Sequence, residues 1–168
     1  IPGVEVSTAE GHLLCIGATL PYMKGCPALE VLEVIKKAGG VAVPAHPFDR
    51  WRAGIRAEIL DTLDIEVLEV FNAAVSARRA NERALAYAKK RGLSMTAASD
   101  AHHDSAVGVS TTAFDLDELT VPALLKALRC GGIPDGNYLS FREAMKKNLG
   151  NWFRFLNRRS IPVASPKP

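Results

Sequence analysis

Residues 39–48 read Gly-Gly-Val-Ala-Val-Pro-Ala-His-Pro-Phe (GGVAVPAHPF). A glycine pair is where a helix stops, and Val41–Ala45 is a short apolar run of the kind that forms a buried strand. His46 follows that run directly and precedes Pro47. Upstream, Pro27 suits the first turn of a helix, with Leu29, Leu32 and Ile35 or Lys36 at helical spacing. Downstream, residues 55–63 predict a second helix, and IEVLEVF at 65–71 alternates like a strand.

The same alternation extends in both directions. At the start, residues 3–7 and 12–17 read as short strands around a turn at Glu10-Gly11. Residues 75–90 are strong helix formers closed by Gly92, and 94–99 (SMTAAS) predicts another strand. A further strand is expected at 111–116, and Pro122 opens a helix through Leu124, Leu125 and Leu128, ended by Gly131-Gly132. The order β-β-α-β-α-β-α-β-β-α predicts an α/β fold of parallel strands with helices packed outside, and chemistry gathered at the carboxyl ends of the strands.

The chain has 168 residues, 48% hydrophobic and 23% charged. That is one domain's worth of average globular composition, which excludes a disordered or collagen-like chain. No run approaches the ~20 apolar residues of a membrane span, nothing at the start reads as a signal peptide, and no GxGxxG or P-loop pattern supports nucleotide-cofactor chemistry. Cys15, Cys26 and Cys130 share no metal-site spacing, and the expectation is a cytoplasmic protein with reduced thiols. The first residues, Ile1-Pro2-Gly3, contain no initiator methionine and lead straight into a strand, so an upstream segment is expected.

Charge divides the chain. The net charge is +3, but residues 136–168 hold seven basic residues against Glu143 alone, leaving −3 for the rest. A basic extension at 136–168 therefore follows a mildly acidic body at 1–135. Such an extension can hold phosphate backbones, and Trp152-Phe153-Arg154-Phe155 mixes aromatics with bases as nucleic-acid surfaces do, although docking of a terminal helix is the commoner use of such a stretch. The last residues, 161–168, hold three prolines and are expected not to fold.

The four histidines fall where chemistry is expected. His46 ends one strand, His102 and His103 follow Ser99-Asp100 at the end of another, and His12 begins a strand just after the one containing Glu5. Imidazole and carboxylate are the ligands that zinc, manganese and iron prefer. A lone histidine is more often a hydrogen-bonded surface or core residue than a ligand, but three clusters at strand ends favour a metal site. Arg50 and Arg52 follow His46 in a loop, where they can clamp a substrate phosphate or equally stay solvated as ordinary loop arginines. Asn72 can present its amide at the same mouth or serve as a turn or helix-cap residue. Trp51 can stack on a base or cover the rim, the latter being commoner.

Taken in order, Ile1-Pro2-Gly3-Val4-Glu5-Val6-Ser7-Thr8, Gly11-His12-Leu13-Leu14, Ala45-His46-Pro47-Phe48, Glu69-Val70-Phe71-Asn72 and Ser99-Asp100-Ala101-His102 resemble the successive motifs of PHP-domain (polymerase and histidinol phosphatase) phosphoesterases. The resemblance runs from Ile1 to about Gly132, and the stretch from Val107-Gly108 onward resembles the PHP-associated segment. It implies part of a distorted, seven-stranded β/α barrel with two or three divalent metals (Mn, Zn or Fe) at the strand ends. By that resemblance Glu5 would bridge two metals, His12 and His46 would bind one, Asp100 the other, and His102 a third. The family's His-x-His and Thr-Asp-His motifs, which precede its Pro-Gly-x-Glu, have no counterpart here, so the resemblance implies an upstream segment or partner chain that completes the barrel.

The implied activity is metal-dependent hydrolysis of a phosphomonoester or phosphodiester, in a phosphorylated small molecule or a nucleotide. The alternative is a non-catalytic PHP-like subunit that binds nucleic acid or a protein assembly through its basic extension. A metal-dependent amidohydrolase uses similar ligands, but the carboxylated-lysine arrangement it requires has no counterpart in the sequence.

Overall fold

The computed structural model describes residues 1–139. The expectations for Trp152–Phe155, for residues 161–168 and for nearly all of the basic extension lie outside the described residues.

The hairpin of β1 (Gly3–Ser7) and β2 (His12–Ile16) forms as the sequence suggests, with β2 pairing antiparallel to β3 (Val41–Pro44). The expected parallel arrangement is corrected here, because α1 (Ala28–Lys37) does not make the usual crossover. After β2 the chain first returns along the hairpin as a loop, held where the Ala9 and Gly25 amides bond the Cys26 and Ser7 carbonyls. Helix α1 then runs in the same sense as β2, and β3 has to come back against it.

Among the described residues only β4 (Val67–Asn72) and β5 (Ser94–Ala98) are parallel, joined by α3 (Arg79–Arg91) as a right-sized crossover. The second predicted helix shrinks to α2 (Ala57–Leu60). Helix α3 starts four residues later than its composition suggests. The Ser76 amide is held by the Asp49 carboxylate (2.6 Å), which pins the preceding stretch in an open conformation. The last elements are β6 (Ser110–Ala113), α4 (Val121–Cys130) and β7 (Ile133–Gly136), an antiparallel strand that the Gly-Gly-Ile-Pro pattern hides. Pro134 is tolerated there because β7 is an edge strand. Strand β7 runs across residue 135, where the body was expected to end.

The strands thus form three sheets, β1-β2-β3, β4-β5 and β6-β7, with no closed barrel among the described residues. Side chains link two of them, since Thr112 Oγ1 of β6 bonds both the amide and the carbonyl of Ala97 in β5 (2.8 and 2.9 Å). Strand β3 is buried on both faces: Ala42 packs into the main core with Leu13, Val31, Leu32, Ile35 and Leu68, while Val41 and Val43 meet Val67, Leu125 and Leu128 beneath α4. A continuous apolar run is what a strand between two layers requires. No helix among the described residues is long and apolar enough to cross a membrane.

Candidate metal centre

Strand periodicity assembles the first half of the site. Glu5 and Ser7 are two residues apart, so they share one face of β1, and His12 is directly opposite Ser7 across the hairpin. Their neighbours Val6 and Leu13 point the other way and are buried in the core. The Glu5 carboxylate therefore meets the His12 ring diagonally, Oε1 against Nδ1. The Ser7 hydroxyl lies 3.3 Å from the other ring nitrogen, Nε2, and fixes the ring's orientation. The contact with His12 holds the Glu5 carboxyl below its ordinary range, against the opposing effect of partial burial.

His46 arrives from the end of β3, tied to His12 through the backbone. The Ala45 amide bonds the His12 carbonyl (3.1 Å), and the His12 amide bonds Ala53 (2.9 Å), at the far end of the loop that follows His46. Gly11 makes the second bond possible, since a Cβ there would lie 2.5 Å from the Ala53 carbonyl oxygen. The loop is rigid. Buried Asp49 accepts the amides of Trp51 (3.1 Å) and Ser76, its carbonyl accepts the Gly54 amide (2.8 Å), and a Cβ on Gly54 would meet the Asp49 nitrogen at 2.7 Å. His46 itself is 2% exposed and takes a left-handed backbone (φ 34°). Burial pushes its imidazole down to about 4, with the Arg52 charge adding to the effect, so the ring is neutral near pH 7 with a lone pair to offer.

A second group surrounds Asp100, beyond the end of β5. Strand β4 carries a bulge between Glu69 and Phe71. In a regular strand, residues three apart face opposite ways; the extra residue turns Glu69 and Asn72 to the same side. Asn72 Nδ2 consequently bridges Glu69 Oε2 (3.1 Å) and Asp100 Oδ2 (3.2 Å). Asn72 Oδ1 accepts from Arg52 Nη1 (3.3 Å) and from the Ala74 amide (2.9 Å). Arg52 Nη2 pairs with Asp100 Oδ2, and Nη1 also reaches the Ala74 carbonyl (3.1 Å). Glu69, 3% exposed, accepts the backbone N–H of His46, and burial raises its carboxyl to about 7. Like His46, Asp100 is left-handed (φ 49°); two of the four non-glycine residues with positive φ among the described residues are candidate ligands.

The remaining sequence candidates separate clearly. His102 is exposed, with Nδ1 bonded to the Asp100 carbonyl (2.9 Å) and 3.4 Å from its carboxylate. Arg50 is exposed in the short 3-10 turn at Arg50–Arg52, apart from the contacts that Arg52 makes. Trp51 does not cover a rim: it is 88% exposed, because its turn is held by Asp49 instead of by ring packing. Residues whose role the sequence reading missed are Ser7, Asp49 and Glu69. Of these only Ser7 carried a signal, through its two-residue spacing from Glu5.

A carboxylate oxygen of Glu5 and one nitrogen each from His12 and His46 all lie within 4.8 Å of one another. His46 Nε2 is 4.0 Å from Glu5 Oε1. The Nδ1 atom of His46 is buried without a hydrogen-bond partner, whereas His12 Nδ1 meets the Glu5 carboxylate. Buried polar atoms left unsatisfied ask for an explanation. Two neutral imidazoles and one ionised carboxylate are a common zinc or manganese donor set. These three residues fit a divalent cation. The Asp100 carboxylate, by contrast, is paired through Oδ2 with Arg52 and Asn72, and its Oδ1 lies 3.4 Å from His102 Nδ1.

The cluster lies beside strand termini of a mixed α/β fold. Residues 78–133 match the family model described as PHP-associated, which bears out the resemblance read from the sequence. The chain carries a segment similar to PHP-associated domains. It is 35% identical over 71 residues to an uncharacterised protein of Methanocaldococcus jannaschii, covering 42% of this chain and 41% of that protein. Its fold is similar to PsfC from Pseudomonas syringae PB-5123 (TM-score 0.65, 20% identity, 93% of this chain and 66% of that one). It is also similar to the lesion-specific endonuclease PfuEndoQ from Pyrococcus furiosus (TM-score 0.58, 18% identity, 79% of this chain and 40% of that one). The chain spans less than two thirds of each of these proteins.

Proposed function

We propose that this chain forms part of a metal-dependent phosphoesterase that hydrolyses a phosphomonoester or phosphodiester. The observation that carries the reading is the Glu5–His12–His46 cluster, three donors of the right type whose ligand atoms lie within 4.8 Å of one another. The family match and the likeness to an endonuclease's fold support it. In this reading the sheets of the chain are one side of a distorted barrel, and the strand ends are its mouth.

Glu5, His12 and His46 would hold a divalent ion, which when bound polarises a phosphoryl oxygen and lowers the pKa of water. The chain's own residues do the rest. Ser7 orients His12, and the Glu69 carboxylate holds the His46 backbone, so two ligands are fixed before any ion arrives. Glu5 is 42% exposed and leaves the cluster open on one side for substrate. Arg52 spends part of its five-donor fork on Asp100, Asn72 and Ala74, and the remaining N–H groups can meet a phosphate oxygen. Arg50, exposed on the same turn, supplies further positive charge.

The test is hydrolysis of p-nitrophenyl phosphate and bis-p-nitrophenyl phosphate by the whole protein, with and without Mn2+. Turnover that requires metal and disappears in H46A and E5Q supports the reading. Equal turnover in wild type and both variants contradicts it.

A further inference from the structure

The two halves of the site treat cations differently, and Arg52 is the reason. The Asp100 carboxylate is engaged twice through one oxygen. Oδ2 pairs with Arg52 Nη2 and accepts from Asn72 Nδ2 (3.2 Å), while Oδ1 faces His102 Nδ1 at 3.4 Å. That His102 nitrogen is also bonded to the Asp100 carbonyl (2.9 Å), so it is turned inward upon its own loop. Arg52 is no loosely placed surface group. Its side chain and that of Asp100 are 16% and 14% exposed, and Nη1 is anchored to Asn72 Oδ1 (3.3 Å) and the Ala74 carbonyl (3.1 Å). It leaves a turn that buried Asp49 caps through the Trp51 amide.

Resting on the metal reading of the Glu5–His12–His46 cluster, we infer that the Arg52 guanidinium is the resident cation of Asp100. The centre then holds one divalent ion and excludes a second from the carboxylate that the family resemblance assigns to one. A guanidinium keeps its charge at every physiological pH. A divalent ion at Asp100 would have to displace it or accept its repulsion at contact distance in a partly buried site. Built-in neutralisation also frees the protein from needing a third ligand beside Asp100 and His102, and the described residues offer none.

The experiment counts ions without reference to turnover. Whole protein stripped by chelator is titrated with Mn2+, followed by calorimetry and electron paramagnetic resonance. Wild type is expected to bind one equivalent with the spectrum of an isolated ion. R52Q exposes the carboxylate and is expected to gain a second equivalent, at least about tenfold tighter than any further binding to wild type, with a spin-coupled spectrum. R52Q/D100N should return to one, and R52K, which keeps the charge, should stay at one. D100N alone should bind one ion with affinity within about threefold of wild type, because Asp100 is not a ligand of that ion.

Two tight equivalents in wild type, or a single one in folded R52Q, would overturn the inference while leaving the metal reading standing. Loss of the ion in D100N would overturn it as well. No bound metal in wild type would overturn the metal reading itself and, with it, the role assigned to Arg52.

Discussion

The hairpin face that carries Glu5, Ser7 and His12 and the network around Asp100 are built by different means, and they end with opposite electrostatics. On the hairpin, regular two-residue periodicity places three polar side chains on one face while Val6 and Leu13 enter the core. With His46 beside them, Glu5 and His12 form a group whose ligand atoms lie within 4.8 Å of one another. Around Asp100 the side chains meet only because β4 bulges and the backbone turns left-handed, and the Asp100 carboxylate finds its partners, Arg52 and Asn72, within the protein. In the proposed reading the first region takes an external cation, whereas the second supplies its own.

That contrast can be broken most severely at His46. H46A removes the buried imidazole, and metal affinity should fall at least about 100-fold, measured by competition with a chromophoric chelator. The same change at His102 should leave affinity within about threefold, because His102 points at Asp100 and not at the cluster. Equal losses in the two variants would erase the distinction. Next in size is S7A, which frees the His12 ring while keeping every ligand; affinity should drop about tenfold with the unfolding midpoint nearly unchanged.

The Asp100 side is probed by stability instead. N72A leaves the buried Glu69 carboxylate short of one donor and Arg52 short of one acceptor. It should cost about 1–3 kcal/mol in urea unfolding of the metal-free protein.

A finer test uses pH. Burial raises the folded Glu69 carboxyl from 4.5 to about 7, so the folded state holds this proton more firmly than the unfolded chain. Its contribution is fully present below the unfolded value near 4.5 and is lost as pH rises through about 7. Stability of wild type relative to E69Q should therefore increase on acidification from pH 7 to 4.5, as read from urea midpoints of the metal-free proteins. A pH-independent difference would show that Glu69 does not titrate in that window. W51A should have the smallest effect, within about 0.5 kcal/mol, because an 88% exposed ring has little packing to lose.

The legibility of this molecule follows the same division. The hairpin could be read directly: Glu5, Ser7 and His12 follow from strand spacing and a short turn, and His46 from its place after an apolar run. Helices α1, α3 and α4 were signalled by composition and by their glycine ends. Strand direction was not, because the loop before α1 reverses the chain through backbone bonds that any residue can make. Nor was the Asp100 network visible, since a bulge between Glu69 and Phe71 leaves no glycine behind and merely changes which side chains share a face. Asp49 carries no signal in the sequence. Its importance lies in two backbone amides, Trp51 and Ser76, the second of them 27 residues away.

The most direct measurement is a crystal structure of the whole protein grown with Mn2+, with diffraction recorded at the manganese absorption edge. The account predicts one strong anomalous peak among Glu5, His12 and His46, with Arg52 still on Asp100. A peak bound to Asp100 with Arg52 swung away, or no peak at the hairpin cluster, would contradict it.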